Sequence, residues 1–493
     1  EPDNFEACLN LANIFYYQEK FVEAEKLYAV IISLEPRYAD AYDKLGSILQ
    51  CQGRLVEASH VCKSLIEVNP LDPNSHNTLG AIFIARNMPE DAINSFNTAI
   101  ELKPDFPEAH NNLGAILAEQ GSVEQAISAH EIAVSLKPDY AEAHFNLGIA
   151  FRKLDRLDKA VNAYKHALSI KPDYAKANYN LGRLNWLQNN FESAFELMEW
   201  RWQGDPNFIN DQFDGNRPTW DGDASEAVFV WREQGIGDEI MFGSMLPALH
   251  AISSKVILEC DQRLIPIYER SFPEDIRFVS HRNQVSEDEY TSHIAVGSLL
   301  KHFRRKLEDF SSVSPGWLKA EPKKIASLRE RLRSKASDKV IGISWQTNAT
   351  GTKSYQRNIP LDILAKYLKP VQAKFVNLQY DSTTDVLLNA EKSTGLKIDN
   401  IDEIDIYNDI DGLAALISAC DIVVSIDNST VHLAGALGID TRVLLPEVAD
   451  ERWGLDSSDS YWYDHLTLYR QISKDDWSNP LECLVQDLNQ ELS

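Results

Sequence analysis

Cysteine is scarce. Six residues in 493, at Cys8, Cys51, Cys62, Cys260, Cys420 and Cys483, form no CxxC pair and no dense framework. That sets aside a disulfide scaffold and points to a reducing, cytoplasmic setting in which each thiol serves as a small hydrophobe. No apolar run is long enough to cross a bilayer, so membrane insertion is not expected. Positive charge is short as well, with 48 Lys and Arg against 74 Asp and Glu, a formal net charge of −26 and no basic run. Nucleic acid and anionic membrane surfaces are therefore poor partners. A GxxxxGK[ST] phosphate loop, a His/Cys metal-ligand cluster and a Ser/His/Asp nucleophile elbow are all missing, which removes support for ATP hydrolysis, zinc chemistry and acyl transfer. The dinucleotide fingerprint also fails, because Gly235-Ile236-Gly237 lacks its third glycine. No signal peptide is recognisable, and the start at Glu1 without a methionine suggests trimming.

What is present is periodic. Prolines fall every 34 residues, at Pro36, Pro70, Pro104, Pro138, Pro172 and Pro206. In the same register lie Leu11, Leu45, Leu79, Leu113, Leu147 and Leu181, each followed by a small residue (Ala12, Gly46, Gly80, Gly114, Gly148, Gly182). Twelve positions after each small residue stands an alanine: Ala24, Ala58, Ala92, Ala126, Ala160 and Ala194. Glycine and alanine let two helices approach closely, apolar residues at helical spacing bury against the next unit, and the proline ends the second helix by withholding an N–H. This pattern resembles the tetratricopeptide repeat, an antiparallel helix pair, and predicts six repeats over 1–206 followed by a linker over 207–227.

Beyond the linker, short apolar runs alternate with helical patterns, the signature of parallel α/β structure. Strands are expected at Val228–Trp231, Lys255–Glu259, Ile276–Val279 and His293–Val296, then at Val340–Trp345, Phe375–Leu378, Asp421–Ser425 and Thr441–Leu445. The reading is of two Rossmann-like domains, 228–338 and 339–493, facing across a cleft. A terminal helix, Leu481 to Leu492, is expected to cross back to the first. Ligands in such sheets bind outside the carboxyl ends of the strands.

Two turns at those ends are candidates. In the first, Gln234-Gly235-Ile236-Gly237-Asp238 follows a buried strand and opens a helix. Asp238 is either a helix cap or a general base facing the cleft. In the second, a strand ending at Ser425 runs into Asp427-Asn428-Ser429-Thr430-Val431-His432, whose free N–H groups at a helix start suit an anion. His432 could donate to a phosphate or sugar oxygen. Positive charge for a diphosphate would come from the loop after Trp345, through Lys353 and Arg357. In the repeats, Asn10, Asn112, Asn146 and Asn180 share one equivalent position and Asn77 and Asn111 its neighbour, the series being broken at Lys44 and Thr78. They are either solvated polar residues or a ladder that pairs with an extended peptide backbone.

Together the motifs Gln234–Asp238, Gly342-Ile343-Ser344-Trp345, Arg357-Asn358-Ile359-Pro360, Asp427–Gly438, Arg452-Trp453, Trp462-Tyr463 and Arg470-Gln471 resemble the two-domain GT-B nucleotide-sugar transferases. They are most like the lipopolysaccharide heptosyltransferases and the repeat-fused bacterial transferases related to them. The resemblance implies that Asp238 is the catalytic base and that Gly235, Gly237, Ser344, Lys353, Arg357, Asp427, Asn428, Ser429, Thr430 and His432 hold the donor. Asn428 and Ser429 stand where the family has Thr-Gly. The implied reaction is inverting and metal-independent, needs no cofactor beyond the nucleotide-sugar donor, and glycosylates a protein recruited by the repeats. Flagellin is one acceptor that similar enzymes suggest. Transfer to a glycan or lipopolysaccharide, and a repeat scaffold with an inactive transferase half, are the alternatives.

Overall fold

The computed structural model describes residues 4–209, 212–311, 316–335, 337–347, 357–380 and 384–492. The chain divides into two compact units, Glu1–Leu181 and Gly182–Ser493, and the division falls inside the helix Ala175–Leu187.

The first unit is a run of antiparallel helix pairs, beginning with Phe5–Tyr17 and Phe21–Leu34 and continuing through Pro107–Glu119 with Val123–Leu136 and Ala141–Lys153 with Leu157–Ile170. Each pair turns through a tight connection, with Glu19, Gly53, Asn87, Gly121 and Asp155 at positive φ, a conformation that Gly, Asn and Asp adopt most readily. The repeating alanines Ala24, Ala58, Ala92, Ala126 and Ala160 are fully buried, because the paired helices leave no room there for a longer side chain.

The second unit holds two parallel sheets. Strands β1 (Val228–Trp231), β2 (Val256–Glu259), β3 (Ile276–Val279) and β4 (Ser292–Ala295) lie in the order β3-β2-β1-β4. Strands β5 (Val340–Ser344), β6 (Lys374–Asn377), β7 (Ile398–Asp399), β8 (Ile422–Ile426), β9 (Thr441–Leu445) and β10 (Leu466–Arg470) lie in the order β10-β9-β8-β5-β6-β7. Counted from β5, that is the doubly wound order, which reverses direction between its first and fourth strands. β1, β2, β5, β8 and β9 are buried along their whole length. Both faces of these strands are therefore covered, and the strands read as largely apolar runs.

The elements differ from the sequence reading in three places. The single helix that the first turn was expected to open is two, Ile236–Gly243 and Leu246–Ile252, broken where Pro247 opens the second and can supply no N–H to the first. The final helix, Ser478–Leu492, does not cross to the first sheet. It packs beside β9, β10 and the helix Leu361–Leu368, with Leu481, Leu484 and Leu488 fully buried in the second sheet's core. Burying those three leucines contributes about 1.5–3 kcal/mol each, which fixes the helix on its own sheet. The helix Pro322–Leu332, read with the first domain, packs on Ile410–Ala419 of the second. Within the linker, Pro218 and Trp220 bond His293 as a short parallel bridge beside β4, at 3.0 and 2.8 Å.

Candidate functional site

At the carboxyl end of β1 the backbone turns sharply. Gln234 sits at φ 65°, a left-handed conformation that a non-glycine residue holds only where its surroundings compel it. Glu233, just before it, is wholly enclosed. Its carboxylate takes a two-pronged bond from Arg201 at 2.9 Å on each side, and a third from Gly297 N at 2.8 Å. These bonds span the switch point between β1 and β4. Gly235 then caps the helix Ile236–Gly243, and Asp238 lies at its third position. Asp238 is therefore not the cap residue. One carboxylate oxygen reaches back to Gly235 N at 3.4 Å, and the other accepts from Arg452 Nη1 at 2.7 Å.

The second sheet's switch point lies between β5 and β8. Here the structure turns two expected donor ligands inward. The Ser344 hydroxyl donates to Gln379 Oε1 at 3.0 Å and accepts from Asn428 Nδ2 at 2.8 Å, and Ser344 is 1% exposed. Asn428 is the cap of the helix Ser429–Ala436. Its Oδ1 accepts from Thr430 N and Ser425 Oγ, and its Nδ2 donates to Gln346 O as well as to Ser344. Both side chains are spent on stitching β5 to β8, which holds the helix start in place. Thr430 is buried and its hydroxyl has no hydrogen-bond partner among the described residues. Gln379 does matching work on the loop after β5, accepting from Trp345 N and Gln346 N at 2.9 Å each. Lys353 lies outside the described residues.

The two turns meet. A Cβ on Gly237 would lie 3.1 Å from His432 Cδ2 and 3.5 Å from Ser429 Cα, so glycine is what allows the two helix starts to approach. Around that contact Asp238, Asp427, Asp450, Arg357, Arg452 and His432 form one polar cluster. Arg357 pairs with Asp427 at 2.9 Å and stands 3.7 Å from Asp450; Arg452 Nε bonds Asp450 at 2.8 Å. His432 Nδ1 lies 3.0 Å from the Tyr463 hydroxyl, its Nε2 lies 3.3 Å from Arg452 Nη1, and its ring stacks on Trp453. Burial, with Arg452 alongside, drives the His432 pKa well below its ordinary value. A neutral ring, with Nδ1–H toward Tyr463 and a lone pair toward Arg452, satisfies both contacts. Asp427 and Asp450 share the two arginines and are driven apart. Burial outweighs Arg357 and Arg452 at Asp427 and raises its carboxyl; at Asp450 burial opposes ionisation, but Arg452 and Arg357 hold the carboxyl well below the usual range. Burial works against the charge on Arg452, yet Asp238, Asp450 and Asp427 keep it firmly protonated.

Residues 80–121 match the family described as the TPR repeat, and residues 105–173 match the tetratricopeptide repeat. Both stretches lie in the paired helices. The helical unit is a tetratricopeptide-repeat solenoid. Protein FlbA of Caulobacter vibrioides is 28% identical over 227 residues, which cover 43% of this chain and 38% of that protein, so the chain spans under two fifths of that relative. Among solved structures, YrrB, titled a TPR protein with an unusual peptide-binding site, is 22% identical with a TM-score of 0.31, covering 36% of this chain and 92% of its own. Pseudomonas aeruginosa PilF is 17% identical with a TM-score of 0.34, covering 43% and 84%.

Within the tetratricopeptide repeats the asparagines bond to one another. Asn112 Nδ2 donates to Asn77 Oδ1, and Asn146 Nδ2 to Asn111 Oδ1, at 3.0 Å each, so each pair ties one repeat to the next. Asn111 cannot line a groove as expected. It is 1% exposed, its Oδ1 also lies 3.1 Å from His130 Nδ1, and its Nδ2 donates to the Tyr140 hydroxyl. Asn10 is exposed, Asn77, Asn112 and Asn146 are half-buried, and Asn180 bonds Lys176 O within its own helix.

Sequence reasoning assigned no role to Arg452, Asp450, Tyr463 or Gln379. The available signal was position: Asp450 and Arg452 follow the carboxyl end of β9 and Gln379 that of β6, where the doubly wound architecture gathers its ligands.

Proposed function

We propose that this chain is a nucleotide-sugar-dependent glycosyltransferase of the GT-B kind that modifies a hydroxyl on a protein recruited by its repeats. The supporting observation is convergence: a carboxylate on the first sheet's glycine turn stands in one cluster with Arg357 and His432 at the second sheet's switch point. In this reading the acceptor oxygen attacks the anomeric carbon while its proton passes to Asp238. The bond from that carbon to the diphosphate oxygen breaks, and the nucleoside diphosphate leaves with the electron pair. Inversion follows from attack opposite the leaving group. Arg357 and the positive end of the helix Ser429–Ala436 meet the charge that builds on the departing phosphate. Asn428 and Ser344 shape that anion site without touching the donor.

For the acceptor, the tetratricopeptide solenoid presents a concave surface suited to an extended chain. Asn10, Asn77, Asn112, Asn146 and Asn180 are the exposed or half-buried asparagines that could meet it, and flagellin is the acceptor that similar repeat-fused transferases suggest. The test uses a panel of nucleotide sugars with wild type and Asp238→Asn. One donor should raise the melting temperature of both by mass action, while transfer by the variant falls by a factor of about 100 or more. Undiminished transfer by the variant would remove Asp238 from the reaction.

A further inference from the structure

Arg452 is placed between the two halves of the proposed reaction. Its side chain is 15% exposed. Nη1 holds Asp238 Oδ1 at 2.7 Å and lies 3.3 Å from His432 Nε2, while Nε is anchored on Asp450 Oδ1 at 2.8 Å. Asp450 lies in the loop after β9, His432 in the helix that follows β8 and Asp238 at the first sheet's turn, so this one side chain bridges both switch points. The guanidinium N–H occupies one of the lone-pair positions through which that oxygen would receive an incoming hydroxyl. The second oxygen is turned toward Gly235 N, so Asp238 as it stands has its nearer lone pairs engaged. A diphosphate carries more charge than one carboxylate and matches the fork of a guanidinium.

We propose that Arg452 is a shared cation, held by Asp238 until a donor diphosphate takes it, so that donor binding itself frees the base. The inference rests on the transferase reading. Donor must then precede acceptor, and Asp238 competes with the diphosphate for the same N–H. With Nε held on Asp450, Nη1 can pass from Asp238 to a phosphate oxygen while the charge stays in the site. Arg357, paired with Asp427, serves the phosphate independently of Asp238.

Inorganic pyrophosphate is the probe, titrated calorimetrically into the full-length wild type, Asp238→Asn, Arg452→Gln and the double variant. Asp238→Asn keeps the shape but yields Arg452, and pyrophosphate should bind it about tenfold more tightly than wild type. In the Arg452→Gln background the same change should bring less than about a twofold gain, the coupling that a double-mutant cycle isolates. Equal tightening in both backgrounds would mean that Asp238 repels the anion merely as a nearby charge, and no tightening in either would mean that it does not compete; both results overturn the proposal. If Arg452→Gln melts early, Arg452→Lys, which keeps the charge beside Asp450 but not the fork, takes its place. Pyrophosphate binding to none of the proteins would count against the transferase reading itself, and so differs from a failure of the shared-cation idea.

Discussion

Glu239 is the next residue after the proposed base, yet its side chain points the other way, into the protein. It is 4% exposed, with Asp261 N donating to it at 2.7 Å and Arg232 Nη2 2.8 Å from its other oxygen. Burial outweighs Arg232 and the Asp261 N–H and pushes its carboxyl up to about 7, from an ordinary value of 4.5. Between those values the folded state holds more protons than the unfolded one. The stabilisation is therefore present at low pH and lost as pH rises through 7. Glu239→Gln removes that titration. Wild type should lose on the order of 2 kcal/mol relative to the variant between pH 5 and pH 8, read from denaturant midpoints at each pH. Parallel pH curves would show that Glu239 does not titrate there. Nothing in the string Gly237-Asp238-Glu239 says which carboxylate faces the cleft; the helix start decides it, by aiming neighbouring side chains roughly 100° apart.

Among elements, the repeats were the most legible, because a 34-residue period writes the same helix pair repeatedly and each copy confirms the others. Even so, equivalent glycines are not equivalent in space. A Cβ on Gly114 would lie 2.7 Å from His130 Cε1, whereas one on Gly46 would meet only Val61 Cγ1 at 4.0 Å. Gly114→Ala should destabilise the solenoid, since overpacking costs about 1–3 kcal/mol against a helix-propensity gain of about 1 kcal/mol. Gly46→Ala should stabilise it by about 0.5–1 kcal/mol. Chemical denaturation of both variants checks the pair, and a shift in the same direction for each would refute the packing account. Among strands, β1 and β9 were readable to the residue because both are buried along their whole length and carry apolar side chains, and β3 was readable although its Arg277 is exposed. β10 was missed because Leu466-Thr467-Leu468-Tyr469-Arg470 mixes buried and half-buried positions, and β7 because two residues make no pattern.

At the scale of the whole molecule, the repeat motif runs on to Ala194 and Pro206, but the compact α/β unit already begins at Gly182. Arg201, 2% exposed, is held by Glu233, Glu199 and Ser298, and the Trp186 indole donates to the Tyr461 hydroxyl at 2.9 Å. Removing residues 1–206 would leave Glu233 buried without its arginine, at a cost of about 3–5 kcal/mol. On the proposed transferase reading, a chain of residues 175–493 should keep donor hydrolysis and lose acceptor modification, whereas residues 207–493 should melt earlier and lose both. Donor turnover and melting temperature on the two truncations separate these outcomes. Full acceptor modification by residues 175–493 would remove the recruiting role of the repeats.

The sequence by itself determined the solenoid, the parallel α/β character of the remainder of the chain and the two turns where chemistry was sought, because all three are written as local periodicity or as runs of one residue class. Only the tertiary structure decided which polar groups remain available. Ser344, Asn428 and Asn111 are consumed by partners as far as 84 residues away. Arg452 reaches an aspartate 214 residues before it. A hydrogen bond needs a partner at the right distance, and chain separation carries no information about that distance until the chain is folded.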